Sequence, residues 1–278
     1  MTLTETAPAK LNLALHVRAR RADGYHELET LFVFARDGDT VAIAPAATAS
    51  FGVTGPFADA VGPDGDNLVT RAERAFRAAF SVAQPHAVTL DKHLPVASGI
   101  GGGSADAAAT LRLLARLHGI AGDDQRLLAI AAHLGADVPA CLLGRPTFGS
   151  GRGDALVEVR GLGDMPALLV NPLVAVSTAA VFAGWDGMDR GPLTDDGDML
   201  ARALTGRNDL QPPAEAVAPV IRDVLTVLAG CDGVVLARMS GSGATCFALF
   251  ADVAARDSAA ATVAADAPGW WQMRTTIG

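Results

Sequence analysis

Four glycines and a serine fall within six residues, Gly99-Ile100-Gly101-Gly102-Gly103-Ser104, directly ahead of an alanine- and leucine-rich run. Glycine reaches positive φ and lets backbone N–H groups converge on an anion, while the start of a helix adds partial positive charge. The pattern predicts a cradle for phosphate groups. A tight turn that merely allows close packing of the next helix is the plainer alternative, and the placement of Ser104 and four glycines weighs against it. Neither familiar nucleotide loop fits. A Walker A loop ends in Gly-Lys-Ser/Thr, whereas Gly103-Ser104-Ala105 has no lysine. A dinucleotide fingerprint follows a buried parallel strand, and Asp91-Lys92-His93-Leu94-Pro95 is too polar for one.

The elements that must position this turn follow from periodicity. Residues 10–17 alternate, with Leu11, Leu13, Leu15 and Val17 on one face and Lys10, Asn12, Ala14 and His16 on the other, which predicts a strand. A charged turn over 18–24 leads to a second strand at 28–34. Asp37-Gly38-Asp39 then reads as a turn into 41–43, so that the opening third forms an antiparallel meander. Helices are predicted over 67–80, 105–118 and 124–134, the last two ending at Gly119 and Gly135, with a short strand at 88–90. Beyond Gly151-Arg152-Gly153 come strands at 156–159, 167–170 and 174–176, and helices at 199–204 and 216–229. A strand at 234–236, a glycine turn at 239–243, a strand at 245–250 and a helix at 253–265 complete the pattern. No repeat or linker interrupts it, which predicts an α+β protein whose halves, 1–153 and 154–278, pack side by side.

Composition narrows the function classes. A chain of 278 residues, half apolar, buries a full core. The net charge of -8 argues against wholesale nucleic-acid binding but not against a small phosphorylated ligand, which needs only a local patch. Cys141, Cys231 and Cys246 lack the spacing of a zinc site or redox dithiol and read as reduced thiols. The start shows no secretory signal, so a cytoplasmic location is expected. The apolar stretch 165–185, broken by Asn171-Pro172 and Ser177-Thr178, reads as a buried strand and loop, not a membrane span.

The segment Pro95-Val96-Ala97-Ser98-Gly99-Ile100-Gly101-Gly102-Gly103-Ser104-Ala105-Asp106-Ala107-Ala108 resembles the second signature of the GHMP kinases, and Ser240-Gly241-Ser242-Gly243-Ala244 resembles their third. Pro8-Ala9-Lys10-Leu11-Asn12-Leu13, Arg21-Ala22-Asp23-Gly24-Tyr25-His26-Glu27-Leu28 and Leu134-Gly135-Ala136-Asp137-Val138-Pro139 narrow the resemblance. It is to the branch that uses ATP to phosphorylate the 2-hydroxyl of 4-diphosphocytidyl-2-C-methyl-D-erythritol in the non-mevalonate isoprenoid pathway. The resemblance runs from about residue 7 to residue 250. It departs at Ser98, Ile100 and Ala179, where the branch often has glycine or alanine, leucine and proline.

That resemblance implies a two-domain fold: an N-terminal domain of mixed or antiparallel sheet with helices, a C-terminal α/β-sandwich-like domain, and the active site in the cleft between them. It implies that Asp137 is the general base and Lys10 the cation that keeps it ionised and neutralises developing charge, with Asn12 a hydrogen-bonding neighbour. Residues 95–105 would hold the ATP phosphates, with Asn67 and Lys92 near the nucleotide, and Mg2+ would neutralise the β and γ phosphates, Ser104 being a candidate ligand. Tyr25 and Phe182 would face the two sides of cytosine, His26 its edge, and Thr178 the substrate; Gly241 and Gly243 would support the substrate's phosphate side.

Taken without the resemblance, each residue has a structural alternative. Lys10 is then a solvated lysine, Asp137 caps the helix that Pro139 begins, and Asn67 caps 68–80. Tyr25-His26 opens a hairpin strand, Phe182 is a core aromatic, and residues 240–243 are a hairpin turn. Arg18, Arg20 and Arg21 either contact a diphosphate or make an exposed charged turn. The rival functions are a homoserine or mevalonate type of kinase, which has no use for an aromatic slot, and a nucleotide-binding regulator, which has no use for a base.

Overall fold

The computed structural model describes residues 1–61, 66–194 and 197–278. They form two compact units whose chain segments interleave: residues 1–9, 37–96 and 101–144 make the first, and residues 10–36, 97–100 and 145–278 the second. One cut after residue 153 does not separate them, because strands β1 (Leu3–Arg20) and β2 (His26–Pro45) contribute to both.

In the first unit, β3 (Ser50–Thr54) lies parallel to β4 (His86–Asp91), and β4 pairs antiparallel with the C-terminal half of β2, from Thr40 opposite Asp91 to Pro45 opposite His86. The expected strands at 28–34 and 41–43 are one continuous strand, β2, which pairs with β1, so the opening meander has one turn fewer than expected, and the parallel β3 is an addition to it. Helices α1 (Leu68–Phe80), α2 (Gly102–Leu117), α3 (Gln125–Leu134) and α4 (Val138–Leu143) pack on one another. Ala105, Ala107, Ala108, Ala109, Leu111, Leu113 and Leu114 bury α2 on nearly every side, and its small residues let neighbouring helices come close.

The expected turn at Asp37-Gly38-Asp39 is also absent, since β2 runs straight through it. A Cβ on Gly38 would overlap the carbonyl of Ala7 and the Cα of Pro8, so the glycine marks a close approach of two backbones. Asp39 is fully buried, its Oδ1 accepting the N–H groups of His93 (2.6 Å) and Leu94 (2.8 Å). A turn signal in the sequence is here a strand crossing paired with a buried acceptor. Gly38→Ala is expected to cost about 3 kcal/mol of stability, because the obstacle is backbone that cannot swing aside, and the urea midpoint measures it.

In the second unit, β5 (Thr147–Gly151) pairs with β6 (Ala155–Glu158) and with the N-terminal half of β2. Strands β7 (Met165–Asn171), β8 (Val234–Met239), β9 (Cys246–Phe250) and β10 (Trp271–Ile277) lie in the antiparallel order β10-β7-β9-β8. Among the described residues, five helices belong to this unit: α5 (Thr178–Ala183), α6 (Met199–Thr205), α7 (Gln211–Val217), α8 (Val220–Ala229) and α9 (Val253–Asp266). Leu168, Val170, Cys246 and Phe250 of the sheet share a core with Ile221, Val224 and Leu228 of α8 and with Ala259 and Val263 of α9.

Three expectations change here. No strand forms at 174–176, since Pro172 and a positive φ at Leu173 (58°) break the extended path. The helix expected over 216–229 is two helices, parted at Ala218-Pro219. Helix α5 rises inside the stretch expected to be strand and loop, capped by Ser177 through the N–H of Ala180.

Candidate active site

Helix α2 begins inside the glycine run, with Gly101 as its N-cap in the left-handed region (φ 62°), earlier than the expected start at Ala105. The amides of its first turn have no partner within the helix, and Gly103 is exposed while Ser104 is half-buried, so this end is open to an anion. The preceding residues belong to the second unit and are fixed there. Ser98 accepts the N–H of Thr245 (3.1 Å), and Gly99 accepts the Ser240 hydroxyl (3.0 Å). A Cβ on Gly99 (φ 79°) would lie 2.5 Å from the Ser240 carbonyl oxygen and 2.8 Å from the Gly243 nitrogen. The two glycine turns thus touch at Gly99, and Asn208 braces the second by donating to Met239 and Gly241 (2.8 Å each). Gly241 and Gly243 serve this packing. Ile100 and Ser98, where the sequence departs from the family pattern, are buried, as is Pro95, while Val96 and Ala97 are exposed.

Lys10 and Asn12 leave the same face of β1, as alternation predicts, and both are buried, so Lys10 is no solvated lysine. The Lys10 ammonium donates to Asn12 Oδ1 (2.8 Å), Asn12 Nδ2 donates to Thr30 Oγ1 (2.8 Å), and that hydroxyl donates to the Ala14 carbonyl (2.7 Å). The chain fixes which way the Asn12 amide points. The Asn12 backbone N–H donates to Ser240 Oγ (3.1 Å), and Lys10 Nζ stands 5.2 Å from the Phe32 ring centre. A buried ammonium is costly unless it is hydrogen-bonded, and these contacts hold it in one place.

Asp137 occupies the N-cap position of α4 with Pro139 in the first turn, as sequence reasoning suggested, yet its side chain makes no capping hydrogen bond. Its carboxylate is half-buried and not spent on the helix end. Asn67 does cap α1: Oδ1 accepts the N–H groups of Val69 (3.0 Å) and Thr70 (3.1 Å), and the Thr70 hydroxyl answers in a capping box. Its Nδ2 is buried without a partner among the described residues.

Lys92, expected near the nucleotide, spends its ammonium on Asp39 Oδ2 (2.5 Å) and Asp106 Oδ2 (2.6 Å). Burial opposes its charge, but Asp106 and Asp39 prevail and hold its pKa above the usual lysine value. Burial also pushes the Asp106 carboxyl up to about 7, Lys92 pulling against it and Asp39 adding to it. The polarity of 91–93 signalled this cluster, but Asp39 was concealed by its likeness to a turn residue.

Around the expected base-binding slot, His26 lies 4.9 Å from Phe182 between ring centres, tilted by 33°, and meets Trp185 edge-on at 5.6 Å. His26 Nε2 is buried without a partner among the described residues, and burial first, then Arg20, lowers the ring's pKa. Tyr25 is 53% exposed with the Arg152 guanidinium 5.1 Å over its ring. Thr178 Oγ1 and Ser242 Oγ are 2.8 Å apart, tying α5, which carries Phe182, to the second glycine turn. Of the basic loop, Arg18 pairs with Glu29 (2.7 Å) and Asp189 (2.8 Å), and Arg21 with Glu27 (2.7 Å), so both charges are met by neighbours. Trp185 was missed because a tryptophan three residues after Phe182 reads as core.

No group of three or more His, Cys, Asp or Glu among the described residues is placed to hold a metal ion. No described helix is long and apolar enough to cross a membrane.

The family models for the N-terminal and C-terminal domains of GHMP kinases match residues 67–145 and 193–268. The fold and the site thus define an ATP-dependent small-molecule kinase of the GHMP class. The 4-diphosphocytidyl-2-C-methyl-D-erythritol kinase of Rhizorhabdus wittichii is 55% identical over 99% of this chain and 94% of its own length. The enzyme of the same name from Sphingopyxis alaskensis is 52% identical over 98% of this chain and 97% of its own length. A solved 4-(cytidine 5'-diphospho)-2C-methyl-D-erythritol kinase superposes with a TM-score of 0.84 at 33% identity, covering 99% of each chain. The chain belongs to the family of 4-diphosphocytidyl-2-C-methyl-D-erythritol kinases.

Proposed function

We propose that this kinase transfers the γ-phosphoryl group of ATP to the 2-hydroxyl of 4-diphosphocytidyl-2-C-methyl-D-erythritol, giving the 2-phosphate and ADP in the cytoplasm. The observation that carries the choice of acceptor is the aromatic cluster at His26, whose buried Nε2 has no partner among the described residues and stands beside the Phe182 ring. A cytosine edge would satisfy that nitrogen, and its flat face suits Phe182 and Tyr25. A homoserine or mevalonate acceptor would leave the slot unused.

In this mechanism Asp137 takes the proton of the 2-hydroxyl as its oxygen forms a bond to the γ phosphorus, and the bond to the β–γ bridging oxygen breaks to release ADP. Lys10, held by Asn12, stabilises the charge that develops on the transferring oxygens. The first-turn amides of α2 and the Ser104 hydroxyl bind the donor phosphates. A magnesium ion carried by ATP supplies further charge neutralisation when bound.

The test is ADP release by the purified protein with ATP, magnesium and this substrate. Turnover of homoserine or mevalonate in its place would overturn the assignment. Phe182→Ala is expected to raise KM for the cytidine substrate about tenfold, from the lost stacking, and to leave KM for ATP unchanged. Steady-state kinetics in each substrate reads the difference.

A further inference from the structure

Lys92, Asp39 and Asp106 form a buried ion triad in the first unit, of which only Lys92 carried an expected role, near the nucleotide. Each comes from a different element. Asp39 lies in β2, Lys92 follows the end of β4, and Asp106 stands in the first turns of α2. The other oxygen of Asp39 is also engaged, since it accepts the backbone N–H groups of His93 and Leu94. The ammonium lies directly under the start of α2: a Cβ built on Gly102 would be 3.1 Å from Lys92 Nζ and 3.7 Å from Asp39 Oδ2.

We propose that Asp39, Lys92 and Asp106 are positioning residues for the donor nucleotide: they lock the strand-to-turn segment 92–94 and the first turn of α2 together, so that the phosphate-binding amides are fixed before ATP arrives. This rests on the reading of α2 as the phosphate cradle. Preorganised amides bind and stabilise an anion without reorganising when it arrives, and a glycine-rich turn has no side chains of its own to hold it still. The glycines give the approach and the triad beneath gives the rigidity. Two of the three ammonium hydrogens are held by carboxylates, which ties Lys92 to the fold beneath the turn and makes its effect on phosphate run through the turn.

A sign distinguishes this from a direct contact. If Lys92 bound phosphate itself, neutralising either carboxylate would free the ammonium, remove negative charge near the nucleotide and lower KM for ATP. Positioning predicts the opposite. Asp106→Asn, nearly isosteric, is expected to raise KM for ATP on the order of tenfold while KM for the cytidine substrate stays within about twofold. Asp39→Asn is expected to act in the same direction, its remaining oxygen still facing the amides of 93 and 94. Steady-state kinetics below each variant's unfolding midpoint, with ATP affinity by calorimetry, measures both. An unchanged or lowered KM for ATP in either folded variant overturns the proposal, as does an equal rise in both KM values. Should one variant not fold, the other decides. Wild-type turnover of the cytidine substrate in the same assay separates this outcome from a failure of the function itself.

Discussion

Asp137→Asn is expected to lower kcat about a thousandfold while leaving the calorimetric affinity for ATP within about twofold. The substitution keeps the size and shape of the side chain and removes only the ability to accept a proton. Asp137 stands at the N-cap position of α4, with φ −84° and ψ −15°, and its side chain makes no capping hydrogen bond, so the helix end does not depend on the carboxylate. The first turn of α4 instead draws on Pro139, which needs no N–H partner, and on the backbone contact from Val138 to the Gly135 carbonyl (3.2 Å). A thermal scan beside the kinetics therefore separates two outcomes. An unchanged midpoint with lost turnover identifies the proton acceptor. A midpoint that falls along with ATP affinity identifies a structural aspartate and removes Asp137 from the mechanism.

How much of this was legible in the sequence depends on how local its cause is. The helix at Asn67 could be read because an N-cap and its capping box lie within four residues. The α2 cradle could be read because glycines, a serine and an apolar run are contiguous. The pairing of Lys10 with Asn12 followed from the two-residue period of a strand. What failed was long-range. Asp37-Gly38-Asp39 carries every local mark of a turn, and only the backbone of Ala7 and the amides of His93 and Leu94 make it a strand. The interleaved units escaped for the same reason, since β1 and β2 read as strands whichever unit they serve.

The site divided along the same line. The acceptor residues Tyr25, His26 and Phe182 could be placed through the family resemblance, but the edge-on Trp185 beside His26 leaves no periodic signal. Strand β10 goes unread in the sequence although Trp271 and Met273 alternate with Gln272 and Arg274, a pattern only four residues long, and it lies beside β7 over seven residue pairs.

Lys10→Met is the second variant with a large expected effect, and here activity and stability should part company. A lysine 3% exposed is maintained against the desolvation of its charge, and methionine fills the same stem volume without that charge. The Asn12 amide keeps its hold through Thr30 and the Ala14 carbonyl, so the strand pair should not be disturbed. The unfolding midpoint is therefore expected to move by only a few degrees, relief from burying the charge offsetting the loss of the donor to Asn12 Oδ1. Turnover should fall between a hundred- and a thousandfold, about the loss from removing one donor that meets developing charge in a water-poor site. Circular dichroism melting and single-turnover kinetics give the two readings on one preparation. A steep fall in midpoint, with residual activity tracking the folded fraction, would make Lys10 a packing residue. Loss of turnover in a protein as stable as wild type would place its charge at the transferred phosphoryl group.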